Sequence, residues 1–405
     1  MELKIKIISP YSLMISIFFS LFMLNDLFNV TSLGYADEIT GILSFFGIII
    51  TILLTISKKI KLNTNIVVII LSLLAMELIG FAGNIFNGLN INLTTIVTEA
   101  FIFVKQYLFF IFIFISLTPR FAKEIFYCLT FISKIMIFTL CLLGVIDEFF
   151  DIGMSNGESF KFISTFQGTV SFWVLIFISI VLFSNAKHKS IFTIMSAIII
   201  ILTKSGLGIL GLGLIAIIYI FMVKQKKFKW YYAIIAVPII LLLSYNEINS
   251  YLLDENAPRA ILFQYGFITA FKFFPLGSGF ATYGSTLAAQ NYSPLYIQYG
   301  FDKIWGLSPK SPMFLMDSYY PRIIGEFGFF GLLFFAVIIF IILSRMILTI
   351  KNTSRKGFSL VLFLIVSAAG LGFNTGGAGG CALYLVLGLM LYIGNNNKMD
   401  SVLLK

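Results

Sequence analysis

The chain is 405 residues long, and 59% of its residues are hydrophobic while only 11% carry a charge. A soluble globular protein carries about 25% charged residues, and a water-soluble fold could not cover so much apolar surface. The composition therefore excludes a soluble protein and predicts one surrounded by lipid. The formal net charge of +10 indicates basic loops that orient membrane helices and no nucleic-acid partner.

The apolar residues form continuous runs, as in Phe101–Leu117. A helix needs about 20 apolar residues to cross a bilayer, whereas barrel strands alternate polar and apolar residues. We therefore predict an all-α fold, a single integral membrane domain over residues 1–405. The predicted spans, about twelve in number, lie near residues 9–26, 38–57, 65–83, 96–117, 122–146, 168–184, 190–203, 206–223, 230–245, 318–343, 357–373 and 379–394.

The basic residues predict the orientation of these spans. If both termini are cytoplasmic, lysine and arginine are concentrated in alternate short loops, as the positive-inside rule requires. The long segment 246–316 is then external, inserted between spans nine and ten. It is rich in proline, glycine and tyrosine and too aromatic to be disordered. Within it, residues 258–274 are predicted to form an amphipathic helix with its aromatic side chains toward lipid.

Charges inside a membrane or at its edge are costly, so each is a candidate for function. Lys105 and Lys134 fall inside predicted spans. The alternative for each is snorkelling, or pairing with a carboxylate such as Glu99 or Glu77. Lys204 lies at a short external turn, where the positive-inside rule disfavours lysine. That position suggests an anionic partner, although a solvated turn lysine is the alternative.

Further charged residues lie in the long segment and at the beginning of the tenth predicted span. Arg259 begins the amphipathic stretch, and a guanidinium suits phosphate because it stays charged and donates two parallel hydrogen bonds. A loop arginine without a ligand is the alternative. Asp317 lies at the entrance to the span, where it could act as a general base or cap the helix. Arg322 and Glu326 are four residues apart and could form a structural ion pair.

No metal site or cofactor is predicted. The sole histidine, His188, lies in a basic loop. The three cysteines lie inside apolar runs and are interpreted as small core residues rather than as metal ligands or disulfides. They are Cys128, Cys141 and Cys381.

Several of these segments are similar to the motifs of one family, the O-antigen polymerase and ligase superfamily. Pro258–Ala260 and Pro275–Phe280 resemble its arginine, amphipathic helix and Pro-Leu-Gly-x-Gly turn. Asp317–Ser318 and then Gly325–Gly331 resemble its polar pair and glutamate-glycine signature. Leu202–Gly206 resembles a further motif, but glycine stands where the family usually has arginine.

The resemblance implies a GT-C-like membrane glycosyltransferase that needs no metal. Such an enzyme would be a repeat-unit polymerase for O-antigen, capsule or exopolysaccharide at the external face of the bacterial inner membrane. It would transfer a growing glycan from undecaprenyl diphosphate to a lipid-linked repeat unit. A chain-length regulator protein is a further partner that the resemblance suggests.

Two other functions stay open. Ligases of this superfamily typically carry a histidine where this chain has Asp317, so the resemblance favours a polymerase over a ligase-type glycan transferase. A flippase or transporter for lipid-linked oligosaccharides would also suit twelve spans. Transporters of this size usually show two related halves, and this sequence shows no internal repeat.

The residues and the resemblance together predict three catalytic residues, namely Asp317, Arg259 and Glu326. Asp317 is the first choice for the base and Glu326 the second. Cations are needed where negative charge develops on the diphosphate. The predicted substrate-binding residues are Lys204, Arg322, Lys105, Lys272, Tyr319, Tyr320, Gly277 and Gly279. Other tyrosines of the long segment are predicted to offer stacking faces to sugars, namely Tyr283, Tyr292, Tyr296 and Tyr299.

Overall fold

The computed structural model describes residues 8–57, 63–90, 92–157, 159–218, 257–350, 355–360, 362–364 and 376–395. Helices dominate this part of the chain, and its one sheet is the antiparallel pair β1 (Ser155–Asn156) and β2 (Ser159–Phe160). Two 3-10 turns cover Thr31–Leu33 and Phe301–Lys303. The helices are α1 (Pro10–Phe28), α2 (Ala36–Ser57), α3 (Thr64–Asn87), α4 (Leu93–Ser116), α5 (Pro119–Phe150), α6 (Gln167–Phe183), α7 (Lys189–Thr203), α8 (Gly206–Ile218), α9 (Pro258–Lys272), α10 (Thr286–Gln290), α11 (Pro294–Gln298), α12 (Tyr319–Thr349) and α13 (Ala378–Asn395).

Seven of these helices are long and apolar enough to cross a membrane: α1, α2, α3, α4, α5, α12 and α13. The prediction of a helical membrane protein is therefore confirmed. Helices α6 and α7 are apolar but have only 17 and 15 residues, or roughly 22–26 Å at 1.5 Å per residue. The ninth predicted span and most of the eleventh lie outside the described residues. The count of twelve spans stays a prediction.

Proline marks the beginning of several helices. Pro10, Pro119, Pro258 and Pro294 each occupy the first helical position. A proline has no N–H to donate, and the first helical N–H has no partner within the helix, so proline costs nothing there. Its fixed φ also suits the helix. These residues explain why the helices begin where they do.

Helix α4 lies in the middle of the bundle, packed against α2, α3 and α13. Helix α12 packs against α3, α9 and α13. The segment from Ala257 to Ser318 has a small apolar core of its own, built around Leu262, Leu295 and Phe301. The long external segment predicted at 246–316 is thus folded from Ala257 onward and carries three short helices. Its first residues, 246–256, lie outside the described part.

The predicted amphipathic helix is present as α9. Its apolar exposed side chains, Phe267, Ile268 and Phe271, lie on one side, followed by the exposed Phe274. The opposite side buries Leu262 and Ala270. Exposed apolar side chains along one side are typical of a helix that turns this side toward lipid.

A glycine turn after α9 fastens this segment to α12. The N–H groups of Ser278 and Gly279 donate to the carbonyls of Gly325 and Glu326, at 2.9 and 3.0 Å. In an unbroken helix those carbonyls would accept from residues four positions later. The non-helical φ of 60° at Gly328 interrupts α12 just beyond them. The break in the helix therefore makes carbonyls available to the turn.

The glycine turn gives a first prediction. Gly277 has a φ of +76°, and a Cβ there would lie 2.4 Å from the backbone nitrogen of Gly328. Gly88 also has a positive φ, +60°, but a Cβ added there would meet no other atom within 4 Å. We expect Gly88→Ala to cost roughly 1–2 kcal/mol of stability from backbone strain. Gly277→Ala should cost about 1–3 kcal/mol more because of overpacking.

The measurement is the thermal unfolding midpoint of each purified variant in detergent. Because both glycines have positive φ, the difference between the two variants isolates the backbone contact between the turn and α12. Equal midpoints for the two variants would contradict this account of the turn.

Candidate active site

The structure brings together two charged residues that are 58 positions apart in the sequence. Arg259 is the second residue of α9, and Asp317 lies two residues before α12. The Nε of Arg259 donates to Oδ2 of Asp317 at 2.7 Å, and its Nη2 donates to the same oxygen. The side chains are 19% and 23% exposed. Two of the three predicted catalytic residues thus form one ion pair that is partly accessible to solvent.

Aromatic side chains surround this pair. The guanidinium carbon of Arg259 lies 5.0 Å from the ring centre of Phe314, within the range of a cation–π contact. Phe314 in turn contacts Trp305 edge to face at 5.8 Å. Trp305 is 69% exposed. The pair therefore lies beside an accessible aromatic surface.

Phe314 and Trp305 were not predicted as site residues. The sequence does contain one signal for the tryptophan. Of the three tryptophans, at 173, 230 and 305, only Trp305 falls in the predicted external segment. No comparable signal distinguishes Phe314 from the many other phenylalanines of the chain.

The surroundings of Asp317 suit a general base. Burial raises the pKa of Asp317 above its usual range, and the charge of Arg259 opposes that rise only in part. A base is more effective as its pKa approaches the working pH. The two hydrogen bonds that Arg259 donates to Asp317 both go to Oδ2, and no other donor among the described residues reaches the carboxylate. The second oxygen, Oδ1, is therefore able to accept a proton.

The alternative role proposed for Asp317, a helix cap, is wrong. The N-cap position of α12 is occupied by Ser318, and no side chain makes a capping hydrogen bond there. Asp317 is bonded to Arg259 instead.

A second charged cluster is completely buried. Arg322 contacts Glu326 at 3.2 Å (Nε to Oε2) and Glu99 at 2.8 Å (Nη2 to Oε1), and the side chains are 0% exposed. The hydroxyl of Ser285 donates to Glu326 at 2.5 Å. The N–H of Leu287 donates to Glu99 at 2.8 Å. This cluster ties α4, α12 and the 257–318 segment together.

The sequence predicted that Arg322 and Glu326 could form a structural ion pair, and this prediction is confirmed. The alternative roles, substrate binding for Arg322 and catalysis for Glu326, do not fit the structure. Arg322, predicted as a diphosphate ligand, has its charge already paired inside the protein. Glu326, the second candidate for the base, is likewise enclosed by donors. Both residues instead hold the first turns of α12, and thus Asp317, in place.

Lys105 requires a similar correction. Its Nζ lies 2.5 Å from Asp37 and 2.8 Å from Glu38, and its side chain is 3% exposed. The alternative that it pairs with a carboxylate is therefore confirmed, but the suggested partners, Glu99 and Glu77, are wrong. The correct partners are at the beginning of α2, which packs along α4. A lysine held this way is not available to a diphosphate.

The other predicted cations do not join Arg259. Lys272 is at the opposite end of α9, about 20 Å away along the helix axis, where its Nζ donates to Gln298 at 2.7 Å. Lys204 is exposed at the end of α7. That helix packs against α5, α6 and α8, whereas α9 packs against α12. Of the predicted cation set, only Arg259 faces the candidate site.

Three of the six tyrosines predicted to contact sugar are core residues. Tyr283 and Tyr296 are fully buried within the apolar core of the external segment. Tyr319 is also buried, and its hydroxyl bonds to Tyr107 and Gln106, each at 2.9 Å. These rings have no face for a sugar: Tyr283 and Tyr296 fill the small core of the 257–318 segment, and Tyr319 belongs to the main core of the helices.

The remaining predicted substrate ligands are either buried or half-buried. Gly277 and Gly279 are buried against the backbones of α12 and α3, so their role is in packing rather than in substrate contact. Tyr320 is half-buried, as are Tyr292 and Tyr299. These three tyrosines stay predictions.

Comparison with known proteins adds no family assignment: no protein-family model matches the chain, and no curated protein matches it. Among the described residues, no three or more His, Cys, Asp or Glu side chains are grouped so as to hold a metal ion. The class that the fold defines is a helical, membrane-embedded protein. Its most distinctive chemical feature is the partly exposed ion pair of Arg259 and Asp317.

Proposed function

We propose that this protein is a membrane glycosyltransferase that polymerises polysaccharide repeat units. The donor is a glycan on undecaprenyl diphosphate, and the acceptor is a lipid-linked repeat unit at the external face of the bacterial inner membrane. The observation that carries the proposal is the contact between Arg259 and Asp317. The two residues lie in separate motifs that resemble the O-antigen polymerase superfamily, and they meet at an accessible position.

The pair can supply both functions that the transfer needs. An incoming diphosphate would compete with Asp317 for the guanidinium of Arg259, since arginine binds phosphate oxygens as it binds a carboxylate. The released carboxylate would then accept the proton of the acceptor hydroxyl. That oxygen forms a bond to the anomeric carbon, and the bond from this carbon to the diphosphate breaks. The bonding electrons leave with the diphosphate, whose charge Arg259 stabilises.

The surroundings suit both parts of a lipid-linked sugar. The exposed apolar side chains of α9, among them Phe267 and Phe271, provide a surface along which a polyprenyl tail could lie. The exposed ring of Trp305 lies near the pair, through Phe314, and offers a stacking face to a sugar. The reacting diphosphate would thus lie between lipid and solvent.

Flipping of lipid-linked oligosaccharide is the second candidate function. Charges inside a membrane often line a transport path, but those of Lys105 and Arg322 are paired with carboxylates within the protein. A ligase-type glycan transfer would use the same pair as the polymerase.

Deletion of the gene in its host tests the proposal. We expect single repeat units to persist at the cell surface while long polymer disappears, because export would continue without polymerisation. Glycan length on a gel and surface labelling of the repeat unit measure this. Complementation with the wild-type chain should restore the ladder. Repeat units trapped on the cytoplasmic side would contradict the proposal and indicate a flippase.

A further inference from the structure

Lys134 is a cation within a membrane helix that the proposed reaction does not use. It lies near the middle of α5, between Phe131 and Phe138, whose side chains are 60% and 54% exposed. Side chains three or four residues apart are neighbours on a helix surface, so Lys134 borders the lipid-facing side of α5. A charge in such a position is costly unless it meets an opposite charge.

Contacts between α5 and α7 show where along the bundle this lysine lies. Its Nζ is 5.6 Å from the ring centre of Phe192 on α7. Ten residues further along the two helices, Gly144 and Leu202 are also neighbours, so the helices run side by side in the same direction. Phe192 is the fourth residue of α7, and helical side chains point toward the beginning of their helix. The ammonium group is therefore about level with the beginning of α7, at one edge of the bundle.

No carboxylate among the described residues pairs with Lys134, and the ring of Phe192 is its one recorded contact there. The end of the bundle where α5 and α7 begin is strongly basic. Its one carboxylate within the described ranges is Glu124, which already bonds to Ser9 and Arg120. The described lysines and arginines at this end are Arg120, Lys123, Lys187, Lys189, Arg345, Arg355 and Lys356. The charge of Lys134 is thus left for an anion from outside the chain.

The surface on both sides of Lys134 is apolar. Ile191 and Ile194 on α7 are 53% and 61% exposed, and the exposed phenylalanines of α5 lie on the other side. An acyl chain can lie along such a surface without a cavity, because the surface already faces the bilayer. Lys187, in the loop just before α7, is exposed and adds a second cation near the level of the lipid headgroups. A free anion would use only the charges, whereas an anionic lipid matches the charges and the apolar surface together.

We propose that the groove between α5 and α7 binds an anionic phospholipid. Its phosphate would lie by Lys134 and Lys187, and one acyl chain would follow the exposed apolar side chains of the two helices. Basic residues at a membrane surface attract anionic lipids in this way. The proposal does not depend on the glycosyltransferase function, because it uses neither Arg259 nor Asp317.

The test uses the full-length protein in detergent, titrated with phosphatidylglycerol or phosphatidylcholine and followed by native mass spectrometry. We expect phosphatidylglycerol to be retained in preference to phosphatidylcholine. Lys134→Gln should weaken its binding about fivefold, as expected for the loss of one basic residue near anionic headgroups, and Lys134→Arg should preserve it. Arg120→Gln is the matched control, since it removes one charge from the same helix at a residue that is 72% exposed and paired with Glu124.

A photoreactive phosphatidylglycerol with a diazirine in its acyl chain locates the lipid. We expect crosslinks on α5 near Phe131 and Phe138 and on α7 near Ile191 and Ile194, and fewer of them in Lys134→Gln. Millimolar inorganic phosphate should not displace the lipid; displacement would indicate a simple anion site and refute the proposal. Equal retention of the two lipids, equal loss in Lys134→Gln and Arg120→Gln, or crosslinks confined to other helices would also overturn it.

Discussion

Replacing Arg322 with alanine is expected to destabilise the protein by about 3–5 kcal/mol, the typical cost of removing one partner from a buried ion pair. Glu99 and Glu326 would then be left as two buried carboxylates without their cation. Because the cluster connects α4, α12 and the 257–318 segment, the loss should be global rather than local. The thermal unfolding midpoint in detergent and the amount of protein in the membrane both measure it.

A matched control and a rescue make this prediction specific. Arg120 also forms an (i, i+4) pair, with Glu124, but its side chain is 72% exposed, and exposed pairs contribute at most about 1 kcal/mol. Arg120→Ala should therefore change little. Combining Arg322→Leu with Glu99→Gln and Glu326→Gln should recover much of the stability, since replacing a whole buried cluster is often tolerated. Equal midpoints for the two arginine variants would contradict a structural role for the cluster.

The second large effect concerns activity rather than stability. Arg259→Ala and Asp317→Asn should each lower polymer formation by about 10²–10⁴-fold while the protein stays in the membrane. The pair lies at the edge of the bundle and is partly exposed, so its loss should leave the fold intact. Lys272→Ala is the control, because Lys272 is on the same helix but at its far end. Glycan ladders from cells measure the effect, and normal ladders from either variant would refute the site.

The pH dependence of the same reaction follows from Asp317. A general base must be deprotonated, so activity should fall as the pH drops through its pKa. Burial raises that pKa, so the acid limb should lie above the value of about 4 that is usual for aspartate. Arg259 opposes the rise. Any residual activity of Arg259→Ala should therefore decline at a higher pH than the wild type. An acid limb unchanged by this substitution would argue against Asp317 as the base.

Local patterns in the sequence predicted much of the fold. The continuous apolar runs indicated membrane helices, and Pro258 marked the first residue of α9. The spacing of Arg322 and Glu326 predicted their ion pair because side chains four residues apart are neighbours on a helix. In each case the information lies within one helix or one turn.

Pairings between distant helices could not be read in this way. Lys105 was matched with the nearest carboxylates in its own or the preceding span, but it pairs with Asp37 and Glu38 because α2 packs along α4. Glu99 of α4 pairs with Arg322 of α12, a residue far away along the chain. Likewise, the external tyrosines were assigned to sugar binding because nothing in composition separates an exposed ring from one in a small core. Only the folded segment shows that Tyr283 and Tyr296 are buried.

The central claim is that the protein forms glycosidic bonds between lipid-linked repeat units. Its most direct test is the purified chain in phospholipid vesicles, supplied with repeat units extracted from the deletion strain. We predict a ladder of longer glycans, with about one undecaprenyl diphosphate released for each bond formed, and no ladder from the Arg259→Ala protein. Repeat units that cross the bilayer without growing in length would contradict the claim.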